Sequence, residues 1–161
     1  MLFNRRYVLL AAFLGSSLVA AAQLTLEVEG GTQKTISAQD FAKMPHQKLA
    51  VINPHTKKQE SYDGVPLRTL LDQVGVASGE NVRGVELRKY ALITARDGYA
   101  VVLALAEIDP SLQKNQVIVA DKLDGNSLDE KHGPLQLVVA EDSRPARWVR
   151  MVTKIAVRTA P

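Results

Sequence analysis

The chain has 161 residues, with 20 Lys and Arg against 17 Asp and Glu, a formal net charge of +3 and no cysteine. That length suits one domain with a core of its own. The missing cysteine excludes disulfides, thiolate nucleophiles and cysteine metal sites, and no run of Lys and Arg interleaved with aromatics marks a nucleic-acid footprint.

Residues 1–22 read as an export signal. Arg5 and Arg6 form a basic n-region, residues 7–19 an apolar h-region, and Ala20, Ala21 and Ala22 a small-residue cleavage site. The apolar run is interrupted by Gly15, Ser16 and Ser17, and it falls short of the ~20 apolar residues of a permanent anchor. Cleavage before Gln23 leaves a single domain over residues 23–161, soluble in the periplasm or secreted, with no stable membrane insertion. The competing reading is an uncleaved anchor. Arg5-Arg6-Tyr7-Val8-Leu9 loosely resembles a twin-arginine signal, so the choice between the two export routes stays open. The leader holds two basic residues and no acid, which leaves 18 cations against 17 anions in the rest of the chain.

Beyond the leader, Leu24, Leu26 and Val28 alternate with polar residues, the period of a half-buried strand. Gly30-Gly31 marks a turn into a return strand at Thr35-Ile36. Ser37 is placed as an N-cap, with Asp40 three residues on and Phe41 opening the apolar face of a short helix that Pro45 stops. Residues 49–52 predict a short buried strand, and residues 53–59 a polar loop. Pro66 suits the first turn of a helix carrying Leu67, Leu70, Leu71 and Val74 on one face, with Gly75 as its terminator. Val85 and Leu87, then Ala91, Ile93 and Ala95, alternate as strands. Asp97-Gly98 predicts a turn and residues 99–103 the next strand. Residues 104–108 form a helical turn ended by Pro110. Residues 117–120 and 135–140 are apolar strands. Asp124-Gly125 marks a hairpin between them, and residues 131–134 a second turn. Residues 143–149 read either as loop or as one turn of helix, and residues 152–157 as a final strand. Short strands with two or three small helices, unevenly spaced, predict a single α+β domain rather than a doubly wound sheet.

One set of motifs goes further. It runs from Tyr62-Asp63-Gly64-Val65-Pro66-Leu67 into Leu70-Leu71, then through Ala95-Arg96-Asp97-Gly98-Tyr99 and Leu123-Asp124-Gly125. It continues in Gly133-Pro134-Leu135-Gln136-Leu137-Val138-Val139 and closes with Arg147-Trp148-Val149-Arg150 and Ile155-Ala156-Val157. In order and spacing this resembles the molybdopterin-binding domain of the sulfite oxidase family. The resemblance covers nearly all of the chain after the leader, and it implies a mainly β fold of that type with a few short helices. Catalytic members hold molybdenum through a cysteine thiolate between the early strand and the Tyr-x-Gly-Val-Pro-Leu segment. That stretch here is residues 51–60, where Asn53 or His55 stands at the equivalent place, and neither supplies an anionic sulfur. The resemblance makes molybdopterin possible, while no metal site is assigned. Its organic part could still be held by amides and basic side chains, although no Gly-rich phosphate cradle is evident.

The residues themselves allow several candidates. His46, His55 and His132 could converge on a metal, but three loop histidines without local spacing read more simply as solvated side chains. Asp97 and Tyr99 either line a pocket or serve a plain Asp-Gly turn with an exposed phenol. Arg144, Arg147 and Arg150 surround Trp148. Planar guanidiniums suit carboxylate, sulfate or phosphate, whereas the alternative pairs them with Glu141 and Asp142 around a core tryptophan. Lys57-Lys58 reads as a solvated loop tip, and no Ser-His-Asp set is present. The candidate ligand-binding residues are therefore Asn53, His55, Asp97, Tyr99, Arg144 and Arg147, with no catalytic residue named. Three loops, around residues 53–55, 97–99 and 144–147, are expected on one face.

Three functions remain open. The first is an exported accessory domain that binds a small anion, a pterin-like ligand or a periplasmic protein. The second is a molybdopterin-dependent oxidoreductase with an atypical cofactor site, and the third is a structural interaction module. The missing thiolate favours the first over competent molybdenum chemistry.

Overall fold

The computed structural model describes residues 23–53 and 56–161. The export-signal reading of residues 1–22 and the candidate His55 lie outside the described residues.

The chain opens with a hairpin, β1 (Gln23–Val28) and β2 (Gln33–Ser37), paired antiparallel. Ser37 then caps α1 (Ala38–Lys43) by accepting the Asp40 N–H, and Phe41 turns into the core. β3 (Gln47–Ile52) follows as expected. β4 (Gln59–Pro66) was not legible in the sequence. Its first half, Gln59-Glu60-Ser61, is polar, and Pro66 reads as a helix start. Yet it pairs with β3 on one side and with β7 (Val117–Leu123) on the other. Pro66 is tolerated because it is the last residue of the strand, where its missing N–H costs little. α2 (Leu67–Asp72) buries Leu67, Leu70 and Leu71, and Gly75 at φ +73° lies just beyond its end.

One expected strand is corrected. Val85 and Leu87 lie in a 3-10 turn, Gly84–Arg88, and are 59% and 50% exposed. Their alternation carries no buried face, so nothing recruits them to a sheet. β5 (Lys89–Ala95), β6 (Ala100–Ala104) and α3 (Leu105–Ile108) then follow the predicted order. β7 turns through Asp124-Gly125 into the two-residue β8 (Asn126–Ser127). β9 (Gln136–Val139) pairs with β7, and residues 145–147 form one 3-10 turn. β10 (Val152–Thr159) closes the chain.

These strands form two five-stranded sheets. The first has the order β2-β1-β10-β5-β6. The second runs β3-β4-β7-β8, with β9 also on β7. β10 lies parallel to β1, with Leu26 beside Ile155, and so joins the two ends of the described chain in one sheet. One hydrophobic cluster takes Leu26, Ile93 and Ile155 from the first sheet, Val65, Val119 and Leu137 from the second, and the leucines of α2. The fold is α+β and mainly β. Connections at one end of these sheets carry the candidate residues.

Candidate functional site

A cleft of about 1100 Å³ opens where four connections meet. It takes Asn53 and Lys57 from the β3–β4 loop, and Asp97 and Tyr99 from the β5–β6 turn. Lys131 and His132 come from the approach to β9, and residues 143–146, 148, 150 and 151 from the segment between β9 and β10. The wall includes Tyr62, Gln136 and Trp148. Asn53, Asp97, Tyr99 and Arg144 are thus brought together, and Arg147 is not among the lining residues.

Each loop has a local reason for its shape. Asn53 is a turn residue: its Oδ1 accepts the Thr56 N–H at 3.1 Å and its Nδ2 donates to Glu60 Oε1 at 2.7 Å. Its backbone closes the same loop against Lys57 and Lys58, which leaves Lys57 at φ +59° beside the cleft. Lys57 is therefore a wall residue and not only a loop tip. Asp97 caps its own turn by accepting the Tyr99 N–H at 3.0 Å. The Tyr99 hydroxyl donates to the Ala146 carbonyl at 2.7 Å, tying this turn to the 143–147 loop. Both therefore have structural tasks as well as a place on the cleft.

Arg147 requires a correction. Its Nε and Nη2 donate to Asp142 at 3.0 and 2.5 Å, and its Nη1 donates to Glu107 at 3.0 Å. The Asp142 hydrogen bonds, with those to Glu107, hold the guanidinium charged well above the ordinary arginine range. Three of its nitrogens are committed to carboxylates, so it braces the loop and does not face a ligand. We expect Arg147→Ala to lower stability by ~1–2 kcal/mol, after discounting charge-assisted bonds for partial exposure. Arg144→Ala should stay within ~0.5 kcal/mol of the parent, as for a surface substitution. Urea midpoints of the two variants would show the difference, and equal losses would contradict this division of labour.

Trp148 is the core residue of the pair of alternatives. It is 7% exposed, its indole N–H donates to the Val139 carbonyl at 3.0 Å, and it meets Tyr62 edge to face at 5.8 Å. Tyr62 donates to Glu60 at 3.0 Å. Burial first, then the Glu60 charge, raise its pKa, so it stays a neutral phenol. His46 and His132 do not converge, and the third candidate, His55, lies outside the described residues. His46 places Nδ1 2.7 Å from the Met44 carbonyl and Nε2 3.3 Å from Asp121, so it is part of a packed pair and not solvated. His132 lies at the cleft, bonded to Asp129 at 2.6 Å, and that bond holds the Asp129 carboxyl below its usual range.

The charge balance of the cleft is one-sided. Lys57, Lys131, Arg144 and Arg150 all line it. None of the four side chains has a carboxylate partner among the described residues. Asp97 is the one carboxylate of the lining set. Gln136 is 4% exposed, and its Oε1 has no hydrogen-bond partner among the described residues. Met151 holds a left-handed φ of +52°, sparsely populated for a non-glycine, with its N–H on the His132 carbonyl and its carbonyl on the Arg96 N–H. Sequence reasoning missed Tyr62, Gln136, Lys131 and Met151 as cleft residues. They come from distant segments: the pairing of β4 and β9 with β7 brings Tyr62 and Gln136 together, and the Met151 N–H on the His132 carbonyl joins the segment after β9 to the one that carries Lys131.

A family model described as the oxidoreductase molybdopterin binding domain matches residues 15–161. The chain belongs to this family. Among solved structures, the molybdopterin-binding domain is similar to the sulfane dehydrogenase SoxCD from Paracoccus pantotrophus, with a TM-score of 0.65 at 16% identity. The similarity covers 84% of this chain and 38% of the dehydrogenase chain, so it shows the sulfite-oxidase-type fold for a part of that larger protein. No curated protein sequence matches the domain.

Family membership makes molybdopterin the plausible cofactor, and its two parts fare differently against these residues. The unpaired cations and the orphaned Gln136 acceptor suit an anionic ligand that also carries a hydrogen-bond donor. The metal finds no such fit. The chain has no cysteine to supply a thiolate, and no cluster of three His, Asp or Glu side chains among the described residues could take its place.

Proposed function

We propose that this molybdopterin-binding domain is an exported, non-catalytic accessory protein whose cleft binds a small oxyanion or a phosphate-bearing, pterin-like ligand. The observation that carries this reading is the cluster of Lys57, Lys131, Arg144 and Arg150 around one cleft, in a family domain without the thiolate ligand. A cation in a partly desolvated cleft holds an oxyanion by charge-assisted hydrogen bonds, and arginine does so with two parallel donors. Export rests on the Arg5-Arg6 n-region and the Ala20-Ala21-Ala22 cleavage site. Among the described residues no helix is long and apolar enough to cross a membrane.

The test is calorimetric titration of the purified protein with inorganic phosphate, paired with elemental analysis and mass spectrometry of protein taken from its own periplasm. Saturable phosphate binding and no stoichiometric molybdenum are expected. Replacing Arg144 and Lys131 by Ala should weaken phosphate binding five- to thirty-fold, the equivalent of ~1–2 kcal/mol, with the urea midpoint little changed. A full complement of molybdenum would instead establish the oxidoreductase reading with an atypical ligand. An unaltered affinity in the double variant would remove the cleft as the binding site.

A further inference from the structure

Among the described residues, His132 is the histidine of the cleft lining. Its ring is held at one nitrogen. Nδ1 lies 2.6 Å from Asp129 Oδ1, and the same oxygen accepts the backbone N–H groups of His132 and Lys131 at 2.9 and 3.0 Å. The His132 carbonyl accepts the Met151 N–H at 2.9 Å, so the backbone is tied down as well as the ring. Nε2 has no hydrogen-bond partner among the described residues, and the side chain is 36% exposed. Nε2 is thus the ring nitrogen left for a ligand.

The contact with Asp129 decides what that nitrogen offers. The hydrogen bond from the His132 ring, with those from the backbone, keeps the Asp129 carboxyl ionised. An ionised carboxylate can only accept, so the proton of the neutral ring sits on Nδ1. Nε2 is then a bare lone pair in a lining whose charged members are Lys57, Lys131, Arg144, Arg150 and Asp97. The cations demand an anion, and the lone pair demands a donor. Two other members of the lining repeat the second demand. Asp97 is a carboxylate, and Gln136 Oε1 is an acceptor without a partner among the described residues.

Hydrogen phosphate and sulfate separate the two demands. Both are tetrahedral dianions at about pH 8, above the range in which histidine ordinarily takes its second proton. Only hydrogen phosphate carries an O–H. Sulfate turns nothing but acceptors toward the Nε2 lone pair, and the two repel.

We infer that the cleft selects an oxyanion that carries its own proton, hydrogen phosphate over sulfate, and that His132 is the residue that reads this proton. Nε2 accepts the O–H of the ligand while the cations hold its charged oxygens. Asp129 is the positioning residue, because it fixes which ring nitrogen stays bare. The inference rests on the anion-binding role proposed for the cleft and adds the class of anion.

Calorimetric titration of the intact protein with sodium phosphate and with sodium sulfate, at about pH 8 and matched ionic strength, tests it. The parent is expected to bind phosphate about ten- to a hundred-fold more tightly, the effect of one hydrogen bond to a charged ligand. His132→Ala, and His132→Phe with a ring but no nitrogen, should bring the two affinities within about threefold of each other, with circular dichroism like the parent's. In the protein without ligand, two-bond nitrogen–proton NMR should find the His132 proton on Nδ1. Asp129→Ala should let the ring populate the Nε2–H form and lower the phosphate preference. A parent that binds both anions equally leaves the anion cleft standing and overturns the selection. A preference unchanged in folded His132→Ala, or a parent ring with its proton on Nε2, overturns the role of His132. Binding of neither anion overturns the inference together with the reading it rests on.

Discussion

Replacing Gly64 by alanine is expected to cost at least ~3 kcal/mol. A Cβ at position 64 would stand 2.2 Å from the Val119 carbonyl oxygen and 2.4 Å from the Ala120 Cα. Both are backbone atoms of β7, so no side chain can swing aside. The crowding has a cause in the register. Asp63 lies opposite Lys122 and Gly64 opposite Ala120, with the irregularity between Asp63 and Gly64 pressing the two backbones together. Glycine is the residue that permits such close approach. β4 lies between β3 and β7, so a forced shift would disturb both ladders. Urea unfolding of Gly64→Ala should show a much lower midpoint, or no cooperative transition. A midpoint equal to the parent's would mean that β4 and β7 can separate freely.

Trp148→Ala is expected to lose ~3–5 kcal/mol, the usual range for truncating a buried aromatic. The indole fills the space between the cleft and the core, donates to the Val139 carbonyl and packs edge-on against Tyr62. Removal leaves a cavity, takes from the Val139 carbonyl the shorter of its two hydrogen bonds while the Asp142 N–H remains at 3.3 Å, and leaves the Tyr62 ring without its neighbour. A fall of ~10 °C or more in melting temperature follows for a domain of this size. Trp148→Phe should recover part of the loss, because it restores the ring contact but not the N–H. Equal melting temperatures for Trp148→Ala and Arg144→Ala would show that the tryptophan is a surface residue in function. The two predictions differ in kind: Gly64 concerns an added atom against backbone, Trp148 a removed one within packed side chains.

Much of the architecture could be read from local patterns. Ser37 before Phe41, the leucines of α2 ahead of Gly75, and the Asp97-Gly98 turn all specify their structure within a few residues. Capping, helical spacing and turn chemistry act over that range, so the chain states them directly. The family motif also lies in the chain, from Tyr62-Asp63-Gly64 to Ile155-Ala156-Val157. Where local pattern and burial part company, the local reading fails. Val85 and Leu87 alternate like a strand but have no sheet to cover, and β4 hides its strand character behind polar residues and a terminal proline.

For the site, the sequence by itself determined which functional groups exist and which do not. It supplies loop arginines, lysines, an Asp-Gly-Tyr turn and no thiolate. Tertiary structure decided which of these share a cleft. Asn53, Asp97, Tyr99 and Arg144 are joined there by Tyr62, Lys131 and Gln136, none of them neighbours in the chain. It also separated Arg144 from Arg147, three residues apart and alike in sequence terms. Arg147 is turned onto Asp142 and Glu107, and Glu107 lies forty residues away on α3. Such a partner cannot be read from spacing, because charge pairing depends on distance in space, and β-sheet pairing sets that distance.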